Sequence, residues 1–196
     1  MSDVVVTRVN WSGARRSRNF EEHIAVRLPG ATRALAALVL RRLKPSSRLR
    51  RVLLRRGVVS GWSAASRQDF ELRRVFFAPD VDSEFPSGTQ TLGLSGVFHG
   101  HAAMEKAIRE FGDDWGSWEL EPAFVVDLGD RLLMLGFLHS RGRASGVELD
   151  QQYAQLLTLG EGFVTRDEAW MRWEEGLQAA GLDPAAAPFT HKHAES

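Results

Sequence analysis

Residues 118–172 decide the fold: WELEPAFVV (118–126), LLMLGFLHSR (132–141), VELDQQYAQLLTL (147–159) and FVTRDEAWMR (163–172) read as four long strands in succession. Their connections, DLGD (127–130), GRASG (142–146) and GEG (160–162), are built from residues that tolerate tight turns. Strands joined so closely must be antiparallel neighbours. The stretch therefore predicts a meander that forms most of one sheet.

Upstream, the pattern changes to helices. Gly100 precedes a helix over 102–111 that turns Met104 and Ile108 inward. Val81 to Phe85 alternates as a strand ended by Pro86-Ser87-Gly88. A short helix is expected over 69–77, ended by Ala78-Pro79-Asp80. A longer one starts at Arg48 with Ser47 as N-cap. Its apolar stripe is Leu49, Val52, Leu53, Val59 and Trp62, which leaves Arg50, Arg51, Arg55 and Arg56 largely outside. Residues 32–43 form a further helix closed by Lys44-Pro45, and residues 1–19 read as a loop or frayed tail. Downstream, 174–180 is a last helical turn or two. Helices first, then a meander, predict an α+β fold: a cone-shaped, curved antiparallel sheet wrapped over N-terminal helices. The expected division is a basic, partly helical arm (1–47), one domain (48–183) and a mobile tail (184–196).

The 196 residues suffice for one such domain plus an extension, with a core that needs no disulfides. No cysteine is present, which excludes thiolate metal sites and cysteine nucleophiles. The apolar run from Ala34 to Leu40 is far shorter than a membrane span needs, and Arg27 and Arg33 interrupt any signal-like core. Membrane crossing is not expected, and a cytoplasmic location is. Zero net charge conceals a split: residues 1–60 carry 14 Lys/Arg and 3 Asp/Glu, residues 61–196 carry 11 and 22. The basic segment either folds against the acidic body or meets an anionic partner. An intramolecular or dimer-stabilising role is the expectation, with a homodimer as the expected assembly and no nucleic acid.

Local motifs carry a resemblance. Ala64-Ala65-Ser66-Arg67-Gln68-Asp69 is similar to an A-F-N-R-G-D type segment, and Pro79-Asp80-Val81 to a PDV strand entry. Gly100 stands before the third helix, Gly142-Arg143-Ala144-Ser145-Gly146 resembles a GRxxSG hairpin, and residues 175–182 resemble EALEAAGL. In this order they resemble the SnoaL-like branch of the nuclear transport factor 2-like superfamily, over about residues 48–182. The resemblance implies a bent sheet that encloses an apolar pocket with its helices. It also implies relatives with ketosteroid isomerase or polyketide cyclase chemistry, and others that only bind or dimerise. On it, the isomerase base falls on Phe85 and its tyrosine donor on Gly61; the cyclase histidine falls on Gln155 and its aspartate on Ala169. None of these can do the corresponding proton transfer.

What remains is a pocket expected to involve Phe85, His139, Tyr153, Gln155, Asp167 and Trp170, with Asp167 the candidate proton-transfer group and Tyr153 a donor. Each has a plainer reading beside it. An aspartate near a strand end is more often a surface group, and a tyrosine or histidine in an apolar strand is more often core packing. His99-Gly100-His101 offers two imidazoles without a third ligand, and His191 and His193 stand in the tail, so no metal is expected. No cofactor is implied either. The expected function is binding of a small hydrophobic molecule. The alternative is a non-catalytic module that dimerises through the outer sheet face, its basic arm engaging a partner.

Overall fold

The four segments of the meander form the centre of one seven-stranded sheet in a computed structural model, which describes residues 4–85 and 95–185. In chain order the elements are β1 (Val5–Arg8), α1 (Phe20–Arg27), α2 (Pro29–Arg42), α3 (Arg48–Ser66), α4 (Phe70–Phe76), β2 (Phe77–Phe85), β3 (Gly96–His99), α5 (Gly100–Asp114), β4 (Trp115–Asp127), β5 (Arg131–Gly142), β6 (Glu148–Gly160), β7 (Phe163–Trp170) and α6 (Trp173–Ala179). Strand order is β1-β4-β5-β6-β7-β2-β3. The meander is antiparallel, but β2 runs parallel to β7, so the sheet is mixed rather than wholly antiparallel. That pairing joins strands 78 residues apart in the chain, Phe85 to Phe163, which local turn signals cannot reveal.

Strand alternation divides the core in two. Leu132, Met134, Leu138, Tyr153, Leu157 and Ala169 face α3 and α5 on the concave side. Leu133, Leu135, Ala154 and Leu156 face the opposite side, where Trp173 and Leu177 of α6 cover them. Gly136 permits the concave packing: a Cβ there would lie 2.4 Å from the Trp62 ring and 2.1 Å from the Glu121 carbonyl. Among the described residues, no single helix is long and apolar enough to cross a membrane.

Three local expectations change. Residues 5–8 are not a frayed tail but an edge strand, antiparallel to β4 with Val5 opposite Asp127. Trp11 Nε1 and the Ala14 amide then donate to Glu119 at 3.0 and 2.7 Å. Ser47 precedes α3 without a side-chain capping bond. The buried stripe of α3 is rotated from the expected one: Arg50, Val58, Trp62 and Ala65 are buried, whereas Leu49 is 57% exposed. Arg50 can occupy an apolar stripe because its charge is fully met. It donates twice to Asp127, both at 2.7 Å, and to the carbonyls of Leu40, Leu43 and Gly129. The strand terminator at 86–88, residues 186–196 and with them His191 and His193, lie outside the described residues.

The N-terminal helices are tied down by charge. Asn19 and Glu22 form a capping box at the start of α1, and Glu22 also accepts from Arg15 and Arg67 at 2.7 and 3.0 Å. Arg18 grips Asp69, the N-cap of α4, through two bonds. Burial alone would raise the Asp69 carboxyl, but Arg18, the Leu72 amide and Arg67 bring it down to about 2. A carboxyl with a depressed folded value stabilises above its unfolded value, and that stability disappears as pH falls toward the folded one. Between about pH 4 and pH 2 the chain should therefore lose about 2 kcal/mol through this group. Urea unfolding across that window should show the loss in the wild type and a flatter profile in Arg18→Ala.

Candidate functional site

Helix α2 lies across the open side of the sheet, and its position is set by the β6–β7 turn. Gly162 adopts φ +88° there and lets the α2 backbone approach so closely that a Cβ would sit 2.5 Å from the Arg33 carbonyl. Arg33 fixes the same contact by donating to the carbonyls of Val75 and Arg74 at 3.0 Å and resting over the Phe163 ring. Beneath α2 is a cavity of about 300 Å³. Its walls are apolar: Val39 and Leu40 from α2, Val58 and Trp62 from α3, Met104 and Ile108 from α5, and Met134, Leu138 and Leu157 from the sheet.

Polar groups gather at one place on this wall. Trp62 Nε1 donates to Gln155 Oε1 at 2.9 Å, and Gln155 Nε2 donates to Asp167 Oδ1 at 2.7 Å. Arg73 donates to the other Asp167 oxygen at 3.0 Å, its guanidinium 4.0 Å from the centre of the Phe77 ring. Tyr153 packs edge-on against Trp62, with ring centroids 5.7 Å apart. Tyr153, Gln155 and Arg73 border the cavity. The Tyr153 hydroxyl has no hydrogen-bond partner among the described residues. Burial raises the Tyr153 phenol well above its ordinary value, and the nearby Asp167 adds to the rise, so the group is a neutral hydroxyl. Burial also raises Asp167, against the pull of Arg73 and Gln155.

The six residues singled out from the sequence fall into three groups. Phe85, Tyr153 and Gln155 border the cavity. Asp167 is fully buried behind Gln155 and Arg73, with both oxygens engaged. His139 and Trp170 are on the opposite face of the sheet. His139 lies one residue out of step with Leu138, so the pleat points it outward, where Asp150 and Glu121 flank it at 2.7 and 3.1 Å. Trp170 is an odd number of residues from Asp167 and packs instead in the α6-covered cluster. In the sequence Trp62 carries no signal beyond its helix stripe, and Arg73 carries none. The helical spacing of Trp62 was a signal that it faces inward. Nothing local links Arg73 to Asp167, 94 residues away.

Gly61 borders the cavity as Phe85 does, and Gln155 and Ala169 are directly paired across β6 and β7. His99 closes β3 and pairs with Asp82, whereas His101 faces the Phe77 carbonyl, so the two imidazoles diverge. Among the described residues, no three His, Asp or Glu side chains converge as metal ligands.

No protein-family model matches the chain, and no curated protein does. Solved structures do. A nuclear transport factor 2-like protein of unknown function from Burkholderia pseudomallei is 23% identical with a TM-score of 0.55, over 63% of this chain and 93% of that one. TerC, co-crystallised with polyporic acid, is 21% identical at 0.54, over 65% and 95%. A SnoaL-like polyketide cyclase, so described, from Jannaschia is 16% identical at 0.52, over 66% and 92%. At these identities the likeness is one of fold. The chain has the nuclear transport factor 2-like fold, as the local motifs implied.

Proposed function

We propose that the protein binds a small, mostly apolar molecule in the cavity beneath α2, with an oxygen of that molecule accepting from Tyr153. The observation that carries this is a neutral, unpartnered hydroxyl at the edge of an apolar cavity of about 300 Å³. A volume of that order matches the small end of known ligand sites, and few polar groups among apolar walls are their usual lining. A hydroxyl without a protein partner at the cavity edge can donate to an occupant that supplies the acceptor, and the buried Trp118 indole N–H on the same wall also lacks a partner among the described residues. TerC, a protein of this fold, was co-crystallised with polyporic acid, which is in keeping with this reading.

In this reading Gln155 and Arg73 are fixed by Asp167, which makes Asp167 a positioning residue rather than the proton-transfer group. The SnoaL-like assignment, the missing isomerase and cyclase residues, the division at residues 47 and 183 and a cytoplasmic location belong to the same proposal. The alternative, dimerisation through the outer sheet face, has less surface to use, because α6 already covers the apolar part of that face. Mass measurement in solution decides that point.

The binding test uses N-phenyl-1-naphthylamine, an uncharged fluorescent probe, and 1-naphthol as competitor. Saturable binding is expected, abolished when Val58→Phe fills the cavity. Tyr153→Phe should weaken 1-naphthol about two- to tenfold, the worth of one neutral hydrogen bond, without reducing stability, since the hydroxyl has no partner to lose. A folded protein with no saturable binding would overturn the proposal.

A further inference from the structure

Helix α2 is apolar on both sides, and the cavity uses only one. Thr32, Ala36, Val39 and Leu40 turn inward to the cavity, and Leu35 stands at its rim. The opposite stripe, Ala31, Ala34, Leu35, Leu38, Arg41 and Arg42, recurs at helical spacing and is exposed throughout. Leu35 and Leu38 are 56% and 54% exposed. A helix apolar all round belongs in a core, yet this one lies on the surface. Phe20, Ile24 and Leu28 along α1, and Leu49 at the start of α3, are exposed as well. Isolated exposed leucines need no explanation, but a run of them in three consecutive helices does.

The same segment is strongly cationic. Residues 23–68 contain 11 Lys/Arg and no Asp or Glu. Arg18, Arg33 and Arg50 are engaged with the body, but Arg41, Arg42, Lys44, Arg48 and Arg51 are exposed and make no ion pair or side-chain hydrogen bond among the described residues. Leu35 is at once a wall of the cavity and a surface residue, so the cavity reaches the surface where leucines and free cations adjoin.

We propose that this face docks on an anionic lipid surface, with Leu35 and Leu38 among the headgroups and Arg41, Arg42, Lys44 and Arg48 against lipid phosphates. An interfacial helix needs both features, an apolar stripe for the acyl boundary and cations for the headgroups. Nucleic acid would use the arginines and leave the leucines in water. α1 and α2 meet at 106°, and among the described residues no single helix is long and apolar enough to cross a membrane, which fits a contact that lies along the surface. The proposal is independent of ligand binding, since vesicle binding and probe binding are read separately.

The test is cosedimentation of the full chain with vesicles of phosphatidylcholine alone and with about 30% phosphatidylserine, at about 0.1 M and about 0.5 M salt. Binding at least about tenfold tighter to the anionic vesicles is expected, and weaker at the higher salt. The double variant Arg41→Glu/Arg42→Glu and the single variant Leu38→Glu, none of them cavity residues, should each lose about tenfold or more. Anionic vesicles should also protect the Arg41 and Arg42 sites of the unsubstituted chain from trypsin, a readout that needs no variant. Equal binding to both vesicle types, or no binding to either, overturns the proposal. So does tight binding to duplex DNA, or a dimer that Leu38→Glu dissociates, if vesicle binding is absent.

Discussion

Arg50→Ala is expected to lower the unfolding free energy by about 3–5 kcal/mol, because it leaves the Asp127 carboxylate buried without its cation. Both side chains are almost entirely excluded from water, at 2% and 4% exposure, and meet through two bonds of 2.7 Å. Three further Arg50 bonds reach the carbonyls of Leu40, Leu43 and Gly129. One guanidinium thus holds the end of α2, the turn after β4 and the β4 carboxylate together. Asp127→Ala should cost a similar amount, leaving a buried cation, while the double variant should cost much less than the sum, since no charge is then left alone. Urea unfolding followed by far-UV circular dichroism measures all three. If Arg50→Ala costs under about 1 kcal/mol, the pair behaves as an exposed one and is not the clasp described.

That clasp marks where sequence reading stops. The meander was legible because each of its strands is long and each turn carries Gly, Asp or Ser, and all four strands fall within a few residues of the expected bounds. The helices α2 to α6 were legible from stripes and terminators. Arg50 was misplaced because an arginine reads as a surface residue until its partner is known, and Asp127 is 77 residues away. β1 was missed because a four-residue edge strand carries too little pattern to stand out from a tail. β3 was missed for the same reason. For the candidate site, period-two alternation sets Tyr153 with Gln155 and Asp167 with Ala169, and the pairing of Gln155 opposite Ala169 joins the two sets. Applied strictly, it would also have excluded Trp170, which cannot share a face with Asp167. The proposed ligand's chemistry was not legible at all, since it depends on which hydroxyl lacks a partner, a property of the assembled cavity.

Removing Asp167 is the second large effect expected. Asp167→Ala takes the anion from Arg73, whose side chain is only 13% exposed, and an acceptor from Gln155, whose own Oε1 serves Trp62. A loss of about 3–5 kcal/mol follows if the pair acts as a buried one. Asp167→Asn should cost less, since an amide oxygen still accepts from Gln155 or Arg73. The pH dependence separates the positioning role from a catalytic one. Burial raises the folded value of Asp167 above its unfolded value. Such a group binds its proton more tightly when folded, so its contribution is most favourable at low pH and declines as pH rises from about 4 toward the folded value. Asp69 runs the other way, so the quantity to measure is the difference between wild type and Asp167→Asn. In urea unfolding from acid to neutral pH, that difference should move against the wild type as pH rises. Probe affinity in Asp167→Asn should fall, because Gln155 and Arg73 lose their anchor. The pH profile of binding should keep its shape, because Asp167 does not border the cavity. A binding profile that loses an ionisation in Asp167→Asn would place that carboxyl in direct exchange with the ligand, and the positioning role would be wrong.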